Sequence, residues 1–394
     1  MYSLLLAIIY IAFISLGLPD ALIGSAWPVM YGELNVPISS AGIITMIIAF
    51  GTIVASLLSD RLTRRLGAGL VTAISVCMTA AALFGFSISH SFLPLCFWAV
   101  PYGLGAGAVD AALNNYVALH YTSRHMNWLH CFWGVGAAAS PYIMGFCLSG
   151  GLGWNSGYRA VSIVQFVLTA FLFLSLPLWK TKETNHAQEN EKRPAPGLKT
   201  ILQIKGVPLV LFTFFAYCAL EQTTGLWASS YLVQYRNINP ETAARFASLF
   251  FIGITIGRFL CGFAANRLGD KRLIRIGILT MTAGLFMIAL PVSADGVALS
   301  GLIVTGFGCA PVYPAIIHST PFNFGKENAQ SIIGIQMASA YTGTTFMPPL
   351  FGLIASHLHI GLYPVFLFVF ILIMLCMSEW LNKLIAAKNT ESLT

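Results

Sequence analysis

The 394 residues are 57% hydrophobic and only 9% charged, with a formal net charge of +7 at pH 7. Soluble domains carry roughly 25% charged residues, so this composition excludes a soluble globular protein and indicates an integral membrane protein. The excess of positive charge therefore gives no reason to expect a nucleic acid partner. The 8 cysteines lie mostly inside apolar stretches and do not have the spacing of a metal site or a disulfide framework.

Twelve stretches along the chain are apolar enough to cross a bilayer as helices, which takes about 20 residues each. In chain order they cover approximately 3–31, 39–59, 68–88, 92–118, 126–149, 158–179, 207–234, 242–265, 273–292, 297–318, 329–355 and 360–384. Residues 180–206 carry six Lys or Arg, three Glu and two Pro, which is typical of a solvated linker. The sequence thus predicts an all-α membrane protein with a six-helix bundle at 1–179, a cytoplasmic linker at 180–206, and a second six-helix bundle with a short tail at 207–394.

The basic residues predict the orientation of these helices. With the N-terminus inside, 17 Lys and Arg fall on the cytoplasmic side, 3 on the outer side and one, Arg258, within a helix. Since cytoplasmic loops are enriched in Lys and Arg, we expect a multi-pass protein of the inner (plasma) membrane whose two termini are cytoplasmic.

The two halves of the chain repeat each other at an offset of roughly 201–207 residues. Helix 5 carries Gly136, Pro141 and Gly145, and helix 11 carries Gly343, Pro348 and Gly352 at the same spacing. The loops after helices 2 and 8 also match, and their charged and polar residues include Asp60, Arg61, Arg64, Arg65, Asn266, Arg267, Asp270 and Arg272. Within these loops, we expect Asp60 to pair with Arg64 or Arg65, and Asp270 to pair with Lys271 or Arg272.

These loops, the twelve helices and the charged linker resemble the major facilitator superfamily of transporters. The loop after helix 2 departs from the family pattern at Ser56 and Thr63, where glycine is usual. The run from Gly103 to Asn114 is similar to helix 4 of the fucose/glucose–proton symporter group that includes fucose permease. The run from Asn127 to Gly136 looks more like the sodium-linked, glucose-transporting branch. The resemblance implies one polar solute bound near the midplane between two rocking halves. It also implies that the charged and polar residues of the two matching loops are gating residues.

Three carboxylates, Asp20, Asp110 and Glu221, lie in the middle of apolar stretches. A charge at the bilayer centre costs at least ~2.5–3.5 kcal/mol on insertion scales, so such residues point to function. Asp20 follows Gly17 and Pro19, which should interrupt the first helix. The resemblance implies proton coupling by Asp20 and Asp110. Asp20 and Glu221 occupy matching positions in the two halves.

Candidate substrate contacts are the polar and aromatic side chains expected at interior depth, because sugars pack well against aromatic faces with polar edges. They are Trp27, Asn114, Asn115, His130, Glu221, Gln222, Trp227, Tyr313 and Gln336. Glu221 has a second interpretation, a static ion pair with Arg258 that holds helices 7 and 8 together. A helix 5 asparagine of fucose permease falls on Trp133, which leaves the identity of the sugar open.

The sequence therefore predicts a proton-coupled symporter for a small neutral polar solute, with a monosaccharide as the favoured candidate. It predicts no cofactor beyond the ion gradient, for which sodium is the alternative to the proton, and a monomer in the lipid bilayer. Two other functions fit the same residues: a proton-coupled exporter of drugs or cations, and a transceptor that binds solute but moves little of it. We predict no enzymatic activity, because no nucleophile–base pair or metal cluster is apparent.

Overall fold

The computed structural model describes residues 2–37, 40–183, 197–238, 240–292 and 294–391, and within them all regular secondary structure is helical. The first half contains α1 (Tyr2–Asp20), α2 (Leu22–Glu33), α3 (Ala41–Leu66), α4 (Ala68–Ser87), α5 (Phe92–His120), α6 (Ser123–Ser149) and α7 (Gly153–Glu183). The second half contains α8 (Leu198–Leu202), α9 (Val207–Gln234), α10 (Pro240–Leu268), α11 (Asp270–Ala289), α12 (Asp295–Cys309), α13 (Val312–Phe324), α14 (Lys326–His357) and α15 (Tyr363–Glu391).

Eleven spans within the described residues are long and apolar enough to cross a membrane. The predicted helix over 329–355 is present as the 32-residue α14, but it is not among the eleven. Its buried face carries polar side chains, including Gln330, Ser331 and Gln336, which lower its mean hydropathy. Large apolar side chains such as Leu93 and Phe146 are 78% and 73% exposed, as expected for helices surrounded by lipid.

The first predicted span is interrupted where Pro19 predicts a break. Helix α1 ends at Asp20 and α2 begins at Leu22. The span predicted at 297–318 is also interrupted, which the prediction missed: α12 ends at Cys309, Pro311 follows, and α13 begins at Val312. Proline cannot donate a backbone hydrogen bond, so both interruptions have the same physical cause.

The chain divides by its contacts into two compact units. The first comprises Met1–Tyr116 and Leu129–Pro196, and the second comprises Val117–Trp128 and Gly197–Thr394. The short segment Val117–Trp128, at the junction of α5 and α6, thus belongs to the second unit although it was predicted in the first bundle. Helix α8 forms the end of the predicted linker, and residues 184–196 of that linker lie outside the described residues.

Each unit uses small residues to bring helix backbones together. In the first unit α4 packs along α7, and in the second α9 packs along α14 and α15. A Cβ added at Gly136 would collide with the Ile14 carbonyl of α1, and one at Gly343 would lie 2.6 Å from the Phe215 carbonyl of α9. Because these two glycines correspond in the sequence repeat, both copies use the same small residue for the same close helix contact.

Candidate transport site

Asp20 lies at the end of α1 and has an exposed side chain inside the first membrane span. Trp133 donates a hydrogen bond from its indole Nε1 to Asp20 Oδ2 at 2.9 Å, and the Tyr102 hydroxyl donates to Asp20 Oδ1 at 3.2 Å. Both donors are uncharged. Within the described residues Asp20 has no ion-pair partner, so this carboxylate is stabilised by hydrogen bonds alone.

The local sequence explains why Trp133 reaches Asp20. A Cβ at Gly17 would collide with the backbone carbonyl of Trp133, so α1 and α6 are almost in backbone contact one turn before the helix break. Gly136 on α6 makes the reciprocal approach to Ile14. These two glycines hold α6 against α1 and leave the Trp133 side chain beside the last residue of α1.

Asp110 belongs to a second, enclosed polar cluster of the same unit. The Asn114 amide donates to Asp110 Oδ1 at 2.8 Å and to the Asp110 carbonyl at 3.0 Å. The His130 Nε2 lies 3.0 Å from Asn114 Oδ1, which makes a continuous chain from carboxylate to imidazole. All three side chains are buried, in contrast to that of Asp20.

Two further sequence-predicted contacts in this unit have different surroundings. Asn115 is buried, and its Oδ1 has no hydrogen-bond partner among the described residues. An unpaired buried acceptor is costly, so Asn115 is suited to accept a hydrogen bond from a bound hydroxyl. Trp27 is only 5% exposed and packs in a hydrophobic cluster with Leu22, Ala26 and Met30. Its burial indicates a packing role.

In the second unit, Glu221 and Arg258 form the ion pair that the sequence raised as one of two interpretations. Arg258 Nη2 lies 3.6 Å from Glu221 Oε1, with the two side chains 4% and 16% exposed. The same Nη2 lies 3.5 Å from the Tyr217 hydroxyl, and the guanidinium lies 5.9 Å from the centre of the Tyr313 ring. Glu221 therefore has an ion-pair partner, whereas its repeat counterpart Asp20 has none among the described residues.

The remaining candidate substrate contacts of the second unit differ in whether their polar atoms already have hydrogen-bond partners. The Trp227 indole donates to the Pro348 carbonyl at 2.9 Å, so its N–H holds α9 to α14. The Tyr313 hydroxyl donates to the Met337 sulfur at 3.4 Å. Gln336 is fully buried; its Oε1 accepts from Thr320 at 3.1 Å, and its Nε2 has no partner among the described residues. Gln222 is exposed.

The predicted gating residues are distributed over both units. In the first, Arg64 Nε pairs with Asp60 Oδ1 at 2.8 Å, one of the two pairings expected, while Arg61 and Arg65 are exposed. In the second, Asn266, Arg267 and Arg272 are exposed. The Asn266 side chain accepts a hydrogen bond from the Arg124 backbone N–H at 3.3 Å.

Asp270 has partners that the sequence did not indicate. In place of the expected Lys271 or Arg272, Ser123 donates to Asp270 Oδ1 at 2.7 Å, and His318 Nδ1 lies 2.6 Å from Asp270 Oδ2. The other ring nitrogen of His318 lies 3.3 Å from the Tyr121 carbonyl. Both ring nitrogens of His318 therefore face oxygen acceptors, one from Asp270 and one from Tyr121. We call Ser123, Tyr121, Asp270 and His318 the latch cluster; it ties the segment Val117–Trp128 to α11 and α13.

Sequence reasoning missed Tyr102 as a donor to Asp20 and did not pair Trp133 with Asp20. The one available signal was the pair of glycines, Gly17 and Gly136, which predicts close contact of α1 and α6. The described residues contain no group of three or more His, Cys, Asp or Glu that could hold a metal ion.

Comparison with known proteins identifies the class. The family model described as Major Facilitator Superfamily matches residues 9–244 and 209–386, so the chain belongs to this superfamily, whose members are transporters. The chain is 25% identical to Bypass of stop codon protein 6 of Saccharomyces cerevisiae, over 94% of this chain and 80% of that one. It is 22% identical to the glucose/mannose transporter GlcP of Bacillus subtilis, over 87% and 86% of the two chains.

A solved structure has the same fold. The Escherichia coli fucose:proton symporter FucP superposes with a TM-score of 0.75, covering 96% of this chain and 98% of that one at 14% identity. The predicted all-α transporter fold and the resemblance to the major facilitator superfamily are therefore confirmed. Other relatives at 22–24% identity are named for different solutes, so the family alone does not define the substrate.

Proposed function

We propose that the chain is a secondary active transporter that moves a small neutral polar solute, with a monosaccharide as the favoured solute, by proton-coupled symport. The observation that carries this proposal is the accessible Asp20 carboxylate, inside a membrane span and held by two uncharged donors. Such a group can gain and lose a proton without breaking an ion pair. Coupling to a proton gradient needs a group of this kind.

Asp110 has a different part in this proposal. It is enclosed with Asn114 and His130, and the Asn114 amide donates a hydrogen bond to its carboxylate. We assign proton loading to Asp20 and retain Asp110 as a second proton-coupling residue, positioned by Asn114. Asn115 and Gln336, each with a buried unpaired polar atom, are the proposed hydrogen-bonding contacts for solute hydroxyls.

The ion pair of Glu221 and Arg258 supports placing the proton-coupling residues in the first unit only. A carboxylate that faces a buried guanidinium cannot take up a proton without giving up that ion pair, so Glu221 is less suited to proton loading than Asp20. We assign it to holding α9 and α10 together. The proposed solute contacts of the second unit are then Gln222, Tyr313 and Gln336.

We also propose the orientation of the chain and the membrane in which it lies. The distribution of Lys and Arg supports cytoplasmic termini in a plasma membrane, and the latch cluster would then lie at the cytoplasmic ends of its helices. Alternating access requires that Val117–Trp128 can separate from α11 and α13, so the latch cluster is the proposed gating contact.

The test is uptake by purified full-length protein in proteoliposomes with an imposed proton gradient. Labelled glucose, mannose and fucose are the first probes. Accumulation that a protonophore abolishes, with no requirement for sodium, supports the proposal. Accumulation driven by sodium alone contradicts proton coupling, and extrusion of cationic dyes without sugar uptake contradicts symport. Sugar-induced thermal stabilisation without counterflow would indicate the transceptor instead.

A further inference from the structure

Gln165 lies in the middle of α7 and is 1% exposed. Its Nε2 donates a hydrogen bond of 2.6 Å to the backbone carbonyl of Ser15, and its Oε1 accepts from the Thr79 hydroxyl at 2.9 Å. A buried amide that joins two other helices in this way fixes their relative position. The transport site described above does not include this residue.

The Ser15 carbonyl needs an outside donor because of Pro19. In an uninterrupted helix the carbonyl of residue 15 accepts from the N–H of residue 19, and proline has no N–H. A buried carbonyl without a partner costs about 1–3 kcal/mol, so an unsupported break would relax. The Gln165 amide takes the place of the missing N–H and stabilises the break in its observed form.

The break is directly connected to the candidate proton site. Asp20 follows Pro19 and is the last residue of α1, so the break sets where its carboxylate lies. A cavity of ≈ 10 Å³, room for about one water molecule, is lined by Ser15, Pro19, Thr79, Gln165 and the Asp20 partner Tyr102, among others. Gln165, the break and one of the two donors to Asp20 therefore surround one small space.

We propose that Gln165 is a positioning residue for the Asp20 site: by satisfying the Ser15 carbonyl, it holds the α1–α2 break so that Asp20 meets Tyr102 and Trp133. This inference rests on the proposed role of Asp20 in proton coupling. Without the Gln165 amide, α1 shifts at the break and the two hydrogen bonds to the carboxylate lengthen. Because those bonds favour the charged form, their loss changes the pH dependence of uptake.

The variants Gln165→Leu and Gln165→Glu test this inference in proteoliposomes, with Ser162→Ala as the matched control. Ser162 is buried one turn earlier on α7, and like Gln165 it forms a hydrogen bond with α4. Its hydroxyl donates to the Ala80 carbonyl at 2.9 Å and does not bond to the α1–α2 break. We expect Gln165→Leu to lower proton-driven accumulation by about tenfold and to move the pH midpoint of uptake upward by about one unit. Ser162→Ala should keep the wild-type midpoint.

Gln165→Glu distinguishes positioning from folding. At acidic pH its protonated carboxyl can donate to Ser15 and accept from Thr79, so uptake should approach that of the wild type. At alkaline pH a carboxylate faces the carbonyl, and uptake should fall at least as far as in Gln165→Leu. If Gln165→Leu does not fold, this variant decides alone: a pH profile identical to the wild type overturns the inference.

A parallel Asp20→Asn variant separates this inference from the proposed function. If Asp20→Asn retains full proton-driven accumulation, the coupling role of Asp20 is wrong. If Asp20→Asn loses accumulation but Gln165→Leu has the same midpoint as Ser162→Ala, only the positioning role of Gln165 is overturned.

Discussion

The indole of Trp133 donates a 2.9 Å hydrogen bond to Asp20, in a membrane span where an isolated carboxylate would be strongly disfavoured. The same unit contains a second pair of this type: the Trp154 indole donates to Glu33 Oε2 at 2.7 Å. Glu33 is the last residue of α2 and lies beyond Trp27, where the first span ends. The two pairs have the same chemistry, one inside the span and one outside it, and they provide matched variants.

Replacing Asp20 by Asn should abolish uphill accumulation and spare counterflow, because the amide keeps the size of the carboxyl but cannot exchange a proton. Uptake against a gradient and counterflow are measured in the same proteoliposomes. Glu33→Gln is the control and should retain both activities. Full accumulation by Asp20→Asn would contradict the coupling role of this residue.

Replacing Trp133 by Phe should weaken coupling without abolishing it, because Tyr102 remains as a donor to Asp20. A hydrogen bond to a charged group contributes about 1.5–3 kcal/mol, so we expect the pH midpoint of uptake to rise by about one unit or more. Trp154→Phe removes the equivalent donor from Glu33 and should leave the midpoint unchanged. Equal profiles for the two variants would show that the Trp133 bond has no part in coupling.

Breaking the pair of Glu221 and Arg258 should destabilise the second unit. Glu221→Gln leaves the buried guanidinium without its counter-ion, for which the expected loss is about 3 kcal/mol. The double variant Glu221→Gln/Arg258→Gln removes both charges and should recover part of the loss. The double-mutant cycle also needs the single variant Arg258→Gln. Thermal or chemical unfolding of the wild type, the two single variants and the double variant then gives the coupling energy between the two charges. Strictly additive losses would mean that the two charges do not interact.

Replacing His318 by Gln should weaken the contact of the latch cluster with Val117–Trp128, because it removes the ring that bridges Asp270 and the Tyr121 carbonyl. Hydrogen exchange of the peptide 117–128 is the measurement, and we expect faster exchange in the variant.

The control for the latch is Arg275→Gln. It breaks another ion pair of the second unit, with Glu379 at 2.6 Å, that does not involve the segment 117–128. Exchange of this segment should be unchanged in the control. Unchanged exchange in His318→Gln as well would show that the latch cluster does not hold the segment.

The sequence was sufficient for the fold because its strongest signals are local. Apolar length defines the spans, and Pro19 beside Asp20 defines the first break. The second break was missed because Pro311 lies inside an otherwise apolar run, where proline kinks and complete interruptions look alike. A helix over 329–355 was predicted, and α14 covers it. Which of its polar side chains are buried could not be predicted, because that depends on how the helices pack.

The partners of the site residues could not be predicted, because each depends on how distant helices pack. Trp133 and Tyr102 are 113 and 82 residues from Asp20 in sequence. His318 is 48 residues from Asp270. Spacing along one helix indicates which residues share a face, but it does not show which side chains of two helices meet. The best sequence signal for a contact between helices is the pair Gly17 and Gly136, which lie where the backbones of α1 and α6 approach each other.

The different surroundings of Asp20 and Glu221 have an electrical consequence. The Glu221–Arg258 pair has no net charge, so its displacement during transport does little work against the membrane voltage. Asp20 changes from neutral to negative when it releases a proton. One elementary charge that crosses the full field is worth about 2.3 kcal/mol per 100 mV. The voltage should therefore act on the transport cycle through the first unit, at the steps in which Asp20 is charged.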